Sequence, residues 1–170
     1  MRQNDLQKMM AKEREGFLEV SWSAAWSSAL FRKKFITASV LFTAVLLYFP
    51  YFFKTIQQRQ GRVLNDCVLN ILPAVDVSVF IFTTLYLLVA YGIFKAVQSP
   101  ETFLLFLWTC LFLSIARMLT ITLFPLDPPI KIVELVDPVL LPFYGHSEIN
   151  RDLFFSGHTS SAFVIFLILK

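Results

Sequence analysis

Long apolar segments with few charged residues constrain this chain more than any other feature of its sequence. Three of them cover about residues 35–53, 77–94 and 102–124, and a fourth runs from about 160 to the last residue at 170. A helix of about 20 apolar residues is long enough to cross the hydrocarbon core of a bilayer. We therefore predict an all-α fold, in which residues 35–170 form a polytopic membrane helical bundle with three full spans and a truncated fourth.

The composition supports a membrane environment and excludes several functional classes. Hydrophobic residues make up 56% of the 170 residues and charged residues only 16%. A soluble domain of this size does not bury so much apolar surface, so membrane lipids are the expected surroundings. The net charge of +3 is too small and too dispersed to favour nucleic acid as a partner. Cys67 and Cys110 form neither a disulfide framework nor a metal motif, so no metal and no cofactor is predicted.

Residues 1–34 precede the first span and are predicted to form a separate cytoplasmic or interfacial segment. Charged residues come first, and apolar residues then recur near helical spacing: Phe17, Leu18, Trp22, Trp26 and Leu30. Two alternatives explain this stripe, an amphipathic helix on the membrane surface and a helix docked against the rest of the protein. A cleavable signal peptide is excluded because the apolar part comes late and no small-residue cleavage site follows it.

Polar connections separate the predicted spans. Residues 54–72 form the first connection, and one-sided apolar residues in its second half predict an interfacial helix. Asp76 precedes the second span, where it either caps the helix or takes part in catalysis. The proline-rich stretch at 125–129 ends the third span and leads into a long acidic loop over residues 130–155.

The distribution of lysine and arginine predicts the orientation in the membrane. The N-terminal segment carries seven of these residues, and the short turn between the second and third spans carries only Lys95. The connections on the opposite side carry five, accompanied by many acidic residues: Lys54, Arg59, Arg62, Lys131 and Arg151. Because cytoplasmic loops are enriched in basic residues, we expect a cytoplasmic N-terminus and an extracytoplasmic His158.

The stretch over residues 151–161, with the sequence RDLFFSGHTSS, carries the strongest chemical signal. In it His158 follows Ser156 and Gly157 and directly precedes the fourth apolar run. A helix that starts one or two residues after His158 would direct free N–H groups and its positive dipole end at an anion beside the imidazole. Such an imidazole can donate or accept a proton during phosphoryl transfer. The alternative is structural, with Ser156 and Thr159 capping a membrane helix and His158 in the interface.

The residues from Asp152 to Thr159, DLFFSGHT, also carry a resemblance to a known family. Their Ser-Gly-His core resembles the second signature motif of the type-2 phosphatidate phosphatase superfamily, and the longer form is most similar to its sphingomyelin-synthase-like branch. The resemblance implies that His158 protonates the leaving alkoxide while Ser156 and Gly157 surround the phosphate. It leaves two alternatives for Asp152, which are contact with a headgroup or acceptor and electrostatic support of the helix start.

Arg117 is the one charged residue of the third apolar segment and lies about eight residues before Pro125. It is therefore on the order of 12 Å along a helix from the outer end of the span. A guanidinium at that depth costs several kcal/mol unless it pairs or snorkels, so phosphate binding and snorkelling are the two alternatives. The first motif of the same superfamily is similar, with Arg117 at its lysine position and Pro125 at its proline position, although Phe124 replaces the second basic residue. The resemblance therefore implies that Arg117 binds the phosphate.

The superfamily also implies a third motif, a nucleophilic histidine followed four residues later by an aspartate, after one more span. That motif does not occur before residue 170, and a helix over residues 160–169 covers only about 15 Å, half of the hydrocarbon core. We therefore expect a fragment of a six-span protein. His146 is the only other histidine, and it is not expected to be the nucleophile because it precedes His158 and has Asn150 four residues later.

Together these features predict an integral-membrane lipid phosphatase or phosphotransferase that acts on a phospholipid headgroup through a phosphohistidine-type mechanism. A phosphatase passes the phosphoryl group to water, whereas a synthase passes a headgroup to a lipid hydroxyl and must exclude water. The alternative is a non-enzymatic membrane protein that retains the Ser-Gly-His motif as structure. A small transporter is disfavoured, since the sequence has neither a pair of broken spans nor a second intramembrane charge. No feature of the pattern specifies an oligomeric state.

Overall fold

The described part of the chain folds into five helices and one short strand pair. The computed structural model describes residues 21–63, 71, 75–129, 137 and 150–169, and the structural statements below refer to these residues. The helices are α1 (Trp22–Ser27), α2 (Ala29–Gln58), α3 (Ser78–Val97), α4 (Pro100–Leu123) and α5 (Gly157–Leu169). The strands β1 (Arg62–Val63) and β2 (Leu126–Asp127) pair in parallel. The all-α prediction is confirmed, while His146 and most of the interfacial helix predicted within 54–72 lie outside the described residues.

Three of these helices, α2, α3 and α4, are long and apolar enough to cross a membrane. They contain 30, 20 and 24 residues, and a helix of 20 residues is about 30 Å long. The fourth apolar helix, α5, has 13 residues. Few large apolar side chains of these helices are fully buried and many are exposed on the isolated chain, a pattern typical of helices that contact lipid.

The first of the long helices extends beyond the apolar segment that predicted it. The predicted limits of 35–53 followed the charges at Lys34 and Lys54, but α2 continues by several residues at both ends. Lysine is a good helix former, and its long side chain can extend away from the apolar part of a helix. Residues 29–34, which were predicted to belong to the N-terminal segment, are therefore the first turns of α2.

Serine side chains fix the starts of α1, α2 and α4. Each hydroxyl accepts a hydrogen bond of 3.3–3.4 Å from the backbone N–H three residues later: Ser21, Ser28 and Ser99. Pro100 then occupies the first position of α4, where a missing N–H costs no helical hydrogen bond. This Ser-Pro start explains why α4 begins two residues before the predicted limit at 102.

Asp76 lies two residues before the first helical residue of α3. Its Oδ1 accepts a hydrogen bond from the backbone N–H of Ser78 over 2.9 Å and another from the Ser78 hydroxyl over 2.5 Å. These two bonds hold the pKa of the Asp76 carboxyl below its ordinary value, because they favour the ionised form. The N-cap position of α3 is Val77, so Asp76 lies one residue before it and bonds to Ser78, the first residue of the helix.

The main core cluster lies between α2 and α4. It consists of buried side chains with two partly buried neighbours packed against them: Phe52, Phe53, Ile56 and Ile121, with Phe49 and Met118. The shorter helix α5 packs against both α3 and α4. Its approach to α3 is close at Gly92, where an added Cβ would lie 2.8 Å from the side chain of Ile165. This packing positions the first turn of α5 beside α3 and α4.

The tryptophans of α1 dock against the ends of the long helices. Trp22 and Trp26 make edge-to-face contacts with Phe31 and Phe35 of α2, at centroid distances of 5.2–6.4 Å. The indole Nε1 of Trp22 also donates a hydrogen bond of 2.8 Å to the carbonyl of Val97 at the end of α3. For residues 22–27 these contacts favour the docked helix over a helix that lies free on the membrane surface.

Candidate functional site

The turn before α5 holds the Ser-Gly-His motif, and the helix begins at Gly157, two residues earlier than the first predicted start. The hydroxyl of Ser156 accepts a hydrogen bond from the N–H of Thr159 over 3.3 Å, and its carbonyl accepts one from Ser160 over 3.0 Å. Phe155 has a positive φ of 63°, which is uncommon for a bulky side chain. Ser156 therefore caps the helix, and the histidine after Gly157 lies in its first turn.

Arg117 of α4 forms an ion pair with Asp152 of the loop before α5. Its Nη2 donates to Oδ2 of Asp152 over 2.5 Å, and the two side chains are only 21% and 26% exposed. The guanidinium also lies 5.7 Å from the ring centroid of Phe53, a cation–π contact. Pairing removes much of the cost of a guanidinium within an apolar helix. Arg117 thus holds an anion rather than snorkelling, and the anion is a carboxylate of the chain itself.

The same guanidinium packs against the backbone of Gly157. A Cβ built at Gly157 would lie 2.7 Å from both Cζ and Nη1 of Arg117, closer than side-chain carbons approach one another in real structures. Only glycine, which lacks that atom, permits this approach without a shift. Gly157 and Arg117, which the sequence predicts to surround a phosphate, are thus in close contact with each other.

On one edge of the Arg117 guanidinium, only one of the two N–H donors has a hydrogen-bond partner among the described residues. The Nε of Arg117 is buried and has no hydrogen-bond partner in the described part of the chain. Nε and Nη2 form the side of the guanidinium that binds two oxygens of a carboxylate or phosphate in parallel. Asp152 accepts a hydrogen bond from Nη2 alone. A buried donor therefore remains next to the one that Asp152 occupies.

His158 is exposed, and its ring contacts α3. Its imidazole packs edge-to-face against the ring of Phe82 of α3, with the centroids 5.3 Å apart and the planes at 77°. Its electrostatic influence reaches the carboxylate of Asp152, where it favours the ionised form. His158 therefore lies directly after the glycine of α5 against which the Arg117 guanidinium packs.

Two opposing effects set the pKa of the Asp152 carboxyl. Burial raises this pKa above its ordinary value, and the nearby Arg117 guanidinium and His158 oppose the rise without cancelling it. As the pH falls, the Asp152 carboxyl is therefore protonated at a higher pH than the carboxyl of an exposed aspartate, and the charged pair with Arg117 is then lost. Neither alternative predicted for Asp152, headgroup contact or support of the helix start, includes this pairing with Arg117.

A second polar cluster holds the loop that carries Asp152, and we call it the connection latch. It consists of Gln57, Arg59, Asp127, Asn150 and Arg151. The Nη1 of Arg151 donates to the carbonyls of Gln57, over 3.1 Å, and of Arg59, while its Nε lies 3.1 Å from Oδ1 of Asp127. Arg59 in turn donates to two carbonyls at the end of α4. The latch therefore joins the ends of α2 and α4 to the residue directly before Asp152.

Further polar contacts in and beside the connection latch align its backbone. Gln57 accepts a hydrogen bond from the N–H of Arg151 and donates to Oδ1 of Asn150, each over 3.1 Å. The N–H of Gly61 donates to Oδ2 of Asp127 over 3.0 Å. Sequence reasoning missed this cluster because its hydrogen-bond partners lie more than 60 residues apart, and because its arginines also serve as topology signals. The available signal was the concentration of basic residues after the first span together with an aspartate between prolines.

The structure brings three of the five predicted site residues into contact, since Arg117 meets both Asp152 and Gly157, and His158 follows Gly157 in the first turn of α5. The remaining predicted site residue is Ser156, whose hydroxyl is hydrogen-bonded to the backbone N–H and to the hydroxyl of Thr159 within the turn. The described residues contain no group of three or more His, Cys, Asp or Glu side chains that could hold a metal ion. No family model, no curated protein and no solved structure matches this chain.

Proposed function

We propose that the chain carries the phosphate site of an integral-membrane lipid phosphatase or phosphotransferase, similar to the sphingomyelin-synthase-like branch of the type-2 phosphatidate phosphatase superfamily. One observation carries this proposal: Arg117 holds a small anion, the carboxylate of Asp152, and packs against Gly157, the residue directly before His158. A carboxylate and a phosphate present oxygens of similar spacing to a guanidinium. The headgroup phosphate of a phospholipid substrate therefore fits the position that this carboxylate holds.

In the proposed reaction Arg117 binds two non-bridging phosphate oxygens through Nε and Nη2. The N–H groups of Gly157 and His158 have no carbonyl four residues earlier within α5, so they are available as further donors. These donors stabilise the charge that develops on the phosphoryl oxygens in the transition state. His158 gives a proton to the leaving alkoxide as its bond to phosphorus breaks.

The nucleophile in this proposal is the histidine of the third motif that the resemblance implies. Its attack on phosphorus forms a phosphohistidine, which water or a lipid hydroxyl then attacks to release the histidine. Water as acceptor makes the protein a phosphatase, and a lipid hydroxyl makes it a headgroup transferase. An exposed His158 is compatible with either acceptor, since both must reach the phosphorus from the side of the connecting loops.

We also propose that α2, α3 and α4 cross the membrane, with α5 entering a fourth span and the N-terminus in the cytoplasm. The contact between Trp22 and Val97 brings the start of α2 and the end of α3 to the same end of the bundle. That end carries the basic residues of the N-terminal segment together with Lys95, as the cytoplasmic side favours. The site and the connection latch lie toward the opposite end, which is then extracytoplasmic.

A specific observation also supports the non-enzymatic alternative. The hydroxyl of Ser156 caps α5, and the Nη2 of Arg117 is already paired with Asp152. A protein that retained the motif only as structure would need these same contacts. The two functions differ in what they require of His158, whose ring contacts Phe82 but accounts for neither the cap nor the ion pair.

The test replaces each histidine in turn in the protein that the complete coding region encodes. We expect His158→Ala to abolish both phosphate release and headgroup transfer from phospholipid vesicles, while membrane insertion and helix content stay unchanged. His146→Ala is the matched control and is expected to retain turnover. Full turnover by His158→Ala would remove the proton donor from the mechanism and leave the non-enzymatic alternative.

The orientation is tested by cysteine labelling in a background without Cys67 and Cys110. A cysteine at Gly145, in the long loop, is expected to react with an impermeant thiol reagent in intact cells. The control position is Gln98, in the turn between α3 and α4, where labelling should require permeabilised cells. The opposite pattern would invert the proposed topology while leaving the site itself unaffected.

A further inference from the structure

We propose that Asp152 is a built-in competitor of phosphate: its carboxylate holds the anion position beside the Arg117 guanidinium, and a phosphate group enters by displacing it. This inference rests on the proposed function, because it describes how the same site is filled and emptied. It gives Asp152 a role in tuning affinity, which differs from contact with the headgroup.

The first argument is the half-used edge of Arg117. The carboxylate accepts a hydrogen bond from Nη2, while the neighbouring Nε is buried without a partner in the residues that the structure describes. A buried donor without a partner is unfavourable, and the contact with Gly157 limits how far the guanidinium can turn to satisfy it. A phosphate oxygen beside the first one would satisfy Nε as well. Exchange of carboxylate for phosphate therefore replaces one hydrogen bond by two.

The second argument is that Asp152 can leave without unfolding the loop. The latch residue Arg151 is bonded through its backbone N–H and its guanidinium to Gln57, and its guanidinium also contacts Arg59 and Asp127. These contacts fix the backbone directly before Asp152 and leave its short side chain to rotate. A displaced carboxylate then exchanges an ion pair for water, since the side chain is already 26% exposed.

The third argument is the charge of the site. Arg117 and an ionised Asp152 neutralise each other, so an entering phosphate meets a repelling carboxylate as well as an attracting guanidinium. Burial raises the pKa of Asp152, which makes a neutral carboxyl easier to reach as phosphate approaches. The groups whose electrostatic effect opposes this rise are Arg117 from α4 and His158 from α5. Removal of the Asp152 charge should therefore strengthen phosphate binding at this position.

The test measures the affinity for inorganic phosphate by isothermal titration calorimetry on the detergent-solubilised protein from the complete coding region. Asp152→Asn keeps the shape of the side chain and removes its charge, and we expect it to bind phosphate about tenfold more tightly than the unchanged protein. Glu101→Gln is the matched control, because it makes the same change in net charge in the first turn of α4, far from Arg117. It should leave the affinity unchanged. Arg117→Gln should abolish binding.

The outcomes separate this inference from the proposed function. Phosphate binding that depends on Arg117 but is equal or weaker in Asp152→Asn would overturn the competitor role and make Asp152 a residue that orients Arg117. No phosphate binding by the unchanged protein or by Asp152→Asn would overturn both the site and its competitor. If Asp152→Asn does not fold, as judged by helix content and thermal unfolding, Asp152→Ser removes the same charge and repeats the measurement.

Discussion

The contact between Gly157 and Arg117 gives the sharpest way to separate a working phosphate site from a structural turn. In a Gly157→Ala variant the new Cβ would lie 2.7 Å from Cζ and Nη1 of Arg117. Carbon atoms pack at about 3.5–4.0 Å, so the guanidinium must move by about 0.8 Å or more. The guanidinium is the end of a flexible side chain and can make this movement, but it then leaves its present alignment with Asp152 and α5.

The expected effect on stability is small because two contributions oppose each other. Alanine is up to about 1 kcal/mol more favourable than glycine in a helix, and less so at its first position. The shifted guanidinium stays within reach of Asp152, so the ion pair is weakened rather than broken, at a cost of about 1 kcal/mol. We therefore expect the free energy of unfolding of Gly157→Ala to remain within about 1 kcal/mol of the unchanged protein.

The expected effect on activity is large, since catalytic groups tolerate little displacement. A shift of about 1 Å in a positioning group can reduce turnover about a hundredfold. The assay follows phosphate release and headgroup transfer from phospholipid vesicles, with thermal unfolding measured on the same preparation. Turnover within about threefold of the unchanged protein, at unchanged stability, would refute the reasoning that Arg117 acts from its place against Gly157.

Gly92→Ala is the matched control for this experiment. Its added Cβ would lie 2.8 Å from Cγ2 and 3.1 Å from Cγ1 of Ile165, a side chain that is only 2% exposed in the contact between α3 and α5. Overpacking of this kind costs about 1–3 kcal/mol. The two alanine variants should therefore show opposite patterns, with stability lost mainly at Gly92 and activity lost mainly at Gly157.

Two further predictions concern the polar contacts outside the site. Arg59→Ala removes the hydrogen bonds to the final carbonyls of α4 and should lower the free energy of unfolding by about 1–3 kcal/mol. Arg62→Ala is the control: because the Arg62 side chain is exposed, the same free energy should change by less than about 0.5 kcal/mol. Chemical unfolding of both variants measures the difference. Ser78→Ala should raise the pKa of Asp76, because both hydrogen bonds that lower it come from Ser78, and one of them from the hydroxyl. Because the folded-state pKa of Asp76 is lowered, its ionised carboxyl stabilises the fold at pH values above the unfolded-state pKa, and this stabilisation is lost as the pH falls through the folded-state pKa. We therefore expect Ser78→Ala to lose less stability at acid pH. Titration of the Asp76 carboxyl by NMR measures the shift, and an unchanged midpoint would contradict it.

The apolar segments predicted the helices better than they predicted where each helix ends. Length and hydropathy were sufficient to predict α2, α3 and α4, because a long apolar segment is recognisable in the sequence without knowledge of its neighbours. The limits at 35–53 and 102–124 were less accurate, because lysine side chains continue a helix past its apolar part and a Ser-Pro pair starts one before it. Both corrections depend on local capping and propensity, which are visible in the sequence but were given less weight than charge.

Parts of the candidate site could be predicted from single residues whose chemistry in a given setting is restricted. A lone arginine in an apolar helix requires a partner, and a Ser-Gly-His turn before another helix suggests an anion site. The identity of the partner was not predictable, because Asp152 lies 35 residues from Arg117 and pairs with it only after the helices pack. The connection latch was hidden for the same reason, since Gln57 and Arg151 meet across 94 residues.

Phe155, whose backbone is left-handed, lies between the latch residue Arg151 and the site residue Gly157 along the chain. A non-glycine residue with φ near 63° is strained by about 1–2 kcal/mol and persists only where its surroundings hold it. Here the ring of the preceding Phe154 packs 4.9 Å from that of Phe124, and the Ser156 cap fixes the residue that follows. These contacts, with Arg151 clamped upstream, force the chain to turn sharply between Asp152 and Gly157. This turn allows Asp152 and Gly157 to contact the guanidinium of Arg117. Because the Ser156 hydroxyl is sufficient to cap α5, the strain at Phe155 is not needed to start the helix, and we infer that it serves to assemble the anion site.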